Sequence, residues 1–135
     1  MAASPGENPS GAIDWPDVKA EVEAAFARYE MALVSNDIET LERLFWDDPR
    51  TIRYGGGENL YGMSQIRAFR QARSPVGLAR TLERTVVTTF GRDTATTMTL
   101  FVRSNQPGRI GRQSQTWIRF PDGWKIVAAH VSVID

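Results

Sequence analysis

Val18, Val22, Ala25, Phe26, Tyr29 and Leu33 recur at spacings of three and four within "WPDVKAEVEAAFARYEMALVSND". That spacing predicts an amphipathic helix with one stripe against a core. Pro16 in the first turn and Asp17 beside it suit a helix start, and Ser35 and Asn36 mark its end. Asn36 or Asp37 then caps a short second helix, "IETLERLFW", whose apolar residues are Ile38, Leu41, Leu44 and Phe45. "DDP" breaks it. Residues 51–54 read as a lone strand that stops at three consecutive glycines, Gly55, Gly56 and Gly57. A third helix follows in "YGMSQIRAFRQARS", with Ser64 as its N-cap and Ile66, Phe69 and Ala72 on its buried side. Pro75 and Gly77 end it.

From Leu78 onward the pattern switches to alternation rich in Thr, Val, Trp and Phe. Four strands are predicted, over residues 79–90, 94–103, 110–120 and 124–134, joined by the short breaks "GRD", "SNQPG" and "PDG". Helices first and an antiparallel meander afterwards describe an α+β fold, with helices on one face of a curved sheet. Residues 1–12, rich in Pro, Gly, Ser and Ala, read as a flexible arm, which leaves 13–135 as a single domain.

Composition narrows the class of protein more than it names a function. A chain of 135 residues supports one core. Zero formal net charge gives no global field toward nucleic acid or a membrane surface. Cysteine is absent, which excludes disulfides, thiol nucleophiles and cysteine metal sites. The start shows neither the basic segment nor the apolar run of a signal peptide, and no stretch approaches the roughly 20 apolar residues that span a bilayer. A cytoplasmic protein is the expectation. Among the basic residues fourteen are Arg and only Lys19 and Lys125 are lysine. A GC-rich genome produces that bias, yet arginine also binds carboxylates through a planar fork that lysine lacks.

The order of elements, and the closing "GWKIVAAHVSVID", resemble the NTF2-like cone-shaped α+β barrel, with its ketosteroid-isomerase-like and SnoaL-like members. Two segments sharpen this: "RYEMALVSNDIETLERLFWDDPRTIRYGGGENLYGMSQIRAFRQAR" and "GRIGRQSQTWIRFPDGWKIVAAHVS" are similar to the AtzH-like branch, which includes the oxalurate-catabolism protein HpxZ. The resemblance runs from about residue 15 to the end. It implies three N-terminal helices on a mainly antiparallel sheet, and a small anionic ureido acid as ligand. The implied activity is a cofactor-free, metal-free decarboxylating amidohydrolase in nitrogen catabolism. A non-catalytic, ligand-binding partner of an amidase in the same pathway is the alternative, because this fold hosts unrelated chemistries.

Residue by residue, each candidate has a plainer reading beside it. Tyr29 on the apolar stripe is an ordinary core tyrosine; the resemblance implies that this part of the helix lines the cavity, where a phenol moves a proton. Arg53 lies opposite Ile52 and Tyr54 on its strand, so it is either a surface charge or a guanidinium aimed into the cone. The resemblance favours the second and makes Tyr29 and Arg53 the catalytic pair. Arg67, Arg70 and Arg73 form a helical strip that is ordinarily solvated; Arg70, four residues after Ile66, is the choice for a second anion contact. Gln113, Gln115 and Trp117 share a strand face that is either a polar cavity wall or a dimer surface, and alternation alone cannot separate the two. His130, the only histidine, shares a face with Ala128 and Ser132. One histidine is a poor metal site and is commonly structural, though its titration range suits a pocket base. Substrate contacts are accordingly expected from Arg70, Gln113, Gln115, Trp117, His130 and Ser132. Asp47 and Asp48 suit a turn, and Glu58 faces either the mouth of the cone or solvent. Phosphate-loop, dinucleotide and GxSxG signatures are missing. A homodimer through the sheet completes the expectation.

Overall fold

The computed structural model describes residues 9–135. Residues 1–8 of the expected arm lie outside the described residues, whereas Pro9–Ala12 forms a 3-10 turn. The Gly91 N–H donates to the Ala12 carbonyl at 2.9 Å, which ties that turn to the end of a strand. Helix α1 (Pro16–Val34) buries Val18, Val22, Ala25, Phe26, Tyr29, Ala32 and Leu33, the stripe that its spacing predicts. The chain leaves it through Asn36 at φ 54, a left-handed conformation that asparagine tolerates. Asp37 then caps α2 (Ile38–Leu44), its carboxylate accepting the Thr40 N–H at 3.2 Å.

Strand β1 (Ile52–Tyr54) runs antiparallel to β2 (Asn59–Tyr61), a strand too short for its alternation to be read in advance. Helix α3 (Met63–Ala72) starts after Gly62, which sits at φ 87 and offers no side-chain cap, so Ser64 is not the N-cap. Its buried residues are Met63, Ile66 and Arg70, while Ala72 is exposed and Phe69 half-buried. The charged Arg70 thus takes a place that an apolar pattern assigns to Ala72.

The meander follows as β3 (Arg80–Phe90), β4 (Thr94–Arg103), β5 (Ile110–Phe120) and β6 (Gly123–Ile134). Sheet order is β2-β1-β6-β5-β4-β3, and every pairing is antiparallel except β1 with β6. The register shifts between Leu82 and Arg84 and again between Thr116 and Trp117. Irregularities of this kind increase twist and bend a sheet. The three helices pack on one face of the six strands, as an α+β arrangement requires.

Register sorts the two faces into rows. One inner row runs Val87, Thr97, Gln115, Ala129, Arg53 and Leu60. The adjacent outer row runs Val86, Met98, Ser114, His130 and Tyr54. Val86, Met98 and Leu100 on that outer side are all exposed. The inner side is sealed by the helices, with Trp117, Ile126 and Ala95 fully covered.

Candidate functional site

Three phenylalanine rings organise the polar interior, and each carries two of its members. Phe45, which follows α2, lies 6.3 Å from the Tyr29 ring and 4.2 Å below the Arg70 guanidinium. Phe69 of α3 lies 5.4 Å from the Arg53 guanidinium and 5.7 Å from that of Arg73. Phe101 of β4 carries Arg80 at 4.3 Å and Arg103 at 5.0 Å. An aromatic face satisfies the flat side of a guanidinium electrostatically, worth about 2 kcal/mol when water is excluded, and leaves the N–H edge free. Gly111 makes the third platform possible. An added Cβ there would stand 2.1 Å from the Phe101 ring, which lies across the glycine.

Partners divide four of these arginines into two kinds. Arg80 is saturated: it holds Glu30 through two contacts of 2.6 and 2.9 Å and donates to the Gln113 side-chain oxygen at 3.1 Å. Arg53 donates to Glu58 at 2.9 Å. Arg70, only 1% exposed, has no acceptor for its Nε and Nη1, and Arg73 none for its Nε and Nη2. Buried guanidinium N–H groups without acceptors are costly and call for a partner.

The electrostatics agree with that division. Burial, reinforced by the neighbouring Arg53 and Arg73 charges, pushes the Arg70 guanidinium down to about 10. Burial and then Arg53 also lower Arg73, and burial and then Arg80 lower Arg103. At neutral pH all of them stay cationic, so the interior arginines outnumber Glu30, Glu58 and Glu42, the last acting on Arg70. Such an arrangement recognises a small anion, above all a carboxylate that takes two N–H groups at once.

The predicted residues fall into two groups. Tyr29 and Arg70 meet at Phe45, and Arg53, 8% exposed, points inward beneath α3. Gln113 joins them through Arg80. Gln115 and Trp117 share the inner face but lie in the core, where Thr97 Oγ1 accepts from the Trp117 indole at 3.0 Å and donates to Gln115 at 2.9 Å. The amide nitrogens of Gln113 and Gln115 both lack acceptors. His130 and Ser132 are not brought to this cluster. They stand on the outer face, where His130 meets the Tyr54 ring edge-on at 5.9 Å and Ser132 accepts from Arg112 at 3.2 Å. A shallow depression of about 370 Å³ there is lined by Val86, Met98, Leu100 and Arg112 among others.

Arg80, Arg103 and Glu30 complete the interior and were not singled out from the sequence, while Arg73, read as part of a solvated strip, and Glu58, read as facing the mouth of the cone or solvent, also belong to it. Glu58 carried one readable signal, an acid directly after three glycines. Asp48 accepts from the Arg50 backbone and side chain, as its turn position suggests, and Arg67 bridges Glu42 and Asp47 near the surface. Among the described residues no group of three His, Asp or Glu could hold a metal ion.

No protein with a curated description matches the chain. Solved structures do. A Pectobacterium atrosepticum SCRI1043 protein of unknown function from the DUF3225 family is 54% identical, with a TM-score of 0.90 over 93% of this chain and 97% of that one. A cystatin-like fold protein from Burkholderia xenovorans LB400 is 55% identical, with a TM-score of 0.86 over 90% and 95%. A putative ketosteroid isomerase from Parabacteroides distasonis ATCC 8503, 20% identical with a TM-score of 0.67 over 82% and 85%, shares the fold alone. The fold is the NTF2-like α+β cone. With a family model matched over residues 11–135, the chain belongs to the AtzH-like family.

Proposed function

We propose that the protein is a cofactor-free enzyme acting on a small ureido carboxylic acid, as a decarboxylating amidohydrolase of the AtzH type in cytoplasmic nitrogen catabolism. The observation that carries this reading is the buried, acceptor-less guanidinium edge of Arg70 beside Tyr29 and Arg73. A carboxylate seated on Arg70 and Arg73 supplies the acceptors that the protein itself withholds. Free side-chain amides at Gln113 and Gln115 suit a urea carbonyl. Arg53 polarises the ureido carbonyl, which shares the charge that develops on nitrogen. As the C–N bond breaks, its electron pair stays on nitrogen, Tyr29 delivers a proton there, and the carboxyl carbon departs as CO2. Guanidiniums fixed in a dry site stabilise the charge that develops on the way.

A second reading has its own observation. Glu30 and Glu58 are both engaged with arginines, so neither is a free general base for Tyr29. That favours a protein that holds the ureido acid for an amidase. Incubating the purified protein alone with oxalurate, allophanate and dicarboxylated urea decides between them. Product release supports the enzyme, and a ligand-induced thermal shift without product supports the holder. Arg53→Lys and Tyr29→Phe should each abolish turnover while preserving the fold; wild-type rates in both would overturn the catalytic assignment.

Assembly belongs to the same proposal. Val86, Met98 and Leu100 form an exposed apolar strip on the outer face, and the chain has no net charge to oppose self-association. A second copy pairing across a two-fold axis covers that strip with itself.

A further inference from the structure

Glu58 has a feature that an ordinary structural ion pair does not need. Its carboxylate reaches the Arg53 guanidinium by lying directly over the backbone of Gly55, so that an added Cβ there would stand 1.7 Å from Oε2. Its other oxygen accepts only the neighbouring Gly57 N–H, at 3.2 Å. The loop that carries it, Gly55–Gly57, has open space around Gly56 and Gly57. Arg53 is held far more firmly, in register with Ala129 and Leu60 and stacked on Phe69. The turn itself is closed, the Gly55 N–H donating to the Glu58 carbonyl at 2.9 Å, so what can exchange is the Glu58 side chain while Arg53 stays fixed.

We propose that Glu58 is a specificity-determining residue: an internal carboxylate that competes with the ligand's carboxylate for Arg53. This rests on the reading of the interior as a carboxylate site. Arg70 and Arg73 accept an incoming anion without displacing anything, whereas a ligand that takes the Nη1 edge of Arg53 exchanges with Glu58 there. A small acid with a single carboxylate gains the first pair alone. An acid that spans both positions recovers the exchange through its second contact. Glu58 thus sets a threshold that a single-carboxylate ligand does not pass at Arg53, and the glycines allow the exchange without moving β1.

Two substitutions test this from different directions. Glu58→Gln removes the competing charge. Gly55→Ala leaves the charge but evicts the carboxylate, because the flexible Glu58 side chain yields to the new methyl. Oxalate and acetate are titrated into wild type and both variants by calorimetry, with thermal unfolding as the check on folding. With the competitor gone, oxalate should tighten about ten-fold in each variant, while acetate keeps its affinity at Arg70 and Arg73 and gains a second site at Arg53, its stoichiometry rising from one to two. A single acetate site together with unchanged or weaker oxalate binding in folded variants would overturn the proposal and make Glu58 a positioning residue for Arg53. Should one variant fail to fold, the other decides alone. Binding of oxalate to wild type with no gain in the variants defeats this inference and leaves the carboxylate reading standing. Absence of binding in all three proteins defeats that reading, and this inference with it.

Discussion

Each face of this sheet carries a run of residues that the usual order would place on the other. The covered face carries Thr97, Thr99, Gln113, Gln115, Arg53 and Arg80, while the uncovered face carries Val86, Met98 and Leu100. In a domain whose single task is to stay folded, the opposite distribution is the cheaper one. On the proposed function, the inner run is where a polar ligand binds and the outer run is what a second copy covers. Both deviations are read as places where stability gives way to function.

Predictions follow from erasing one face at a time. The largest effect on stability is expected from Glu30→Ala, which strands the Arg80 guanidinium, 2% exposed, without its counter-charge. Breaking a buried pair costs about 3–5 kcal/mol, to be read from urea unfolding. Arg70→Met makes the inner face more ordinary and should move two measurements in opposite directions. Unfolding free energy rises by about 1–3 kcal/mol, because a buried, unpaired charge is exchanged for an apolar chain of similar length. Carboxylate affinity falls roughly 100-fold. Loss of both stability and affinity would mean that Arg70 is a structural ion after all.

On the other face, Met98→Lys with Leu100→Lys should convert a dimer to a monomer in sedimentation and leave carboxylate binding intact. A monomeric wild type would refute the assembly part of the proposal. The smallest effect is set by pH. Because the folded protein holds Arg70 at about 10, below the usual arginine range, carboxylate affinity should be flat through neutrality and fall above that value. The stability term has the reverse sign: between about 10 and the ordinary arginine value the unfolded chain binds the extra proton, so this group's contribution to stability rises with pH. Parallel titrations of binding and unfolding above pH 9 check both limbs.

How much of this was legible varies by element. The four long strands were readable within a residue or so, because their alternation persists over ten or more positions. Strand β2 was not, since three residues carry no period. Arg53 was visible as a question of parity, which a three-residue strand cannot settle by itself; its parallel partner β6 fixes the answer. Arg70, four residues after Ile66, was legible as the member of its strip closest to the buried face, but its depth was not. A charge lies on the buried stripe of α3 because the Phe45 ring comes from another element, and periodicity within one helix cannot foresee that. Arg73, Arg80 and Arg103 sit at or beside the ends of elements, where surface arginines are common. Only the Phe69 and Phe101 platforms distinguish them.

The parallel pairing of β1 with β6 bears on how the protein comes to be made. Every other strand neighbour is reached through a hairpin, whereas Arg53 opposes Ala129 across most of the chain. Contacts of such separation are slow to form, because a long loop closes before they give any return. Helices and meander can assemble by local steps, but the guanidinium has no seat until the final strand is in place. Recovery of ligand binding during refolding should therefore lag the recovery of helix signal.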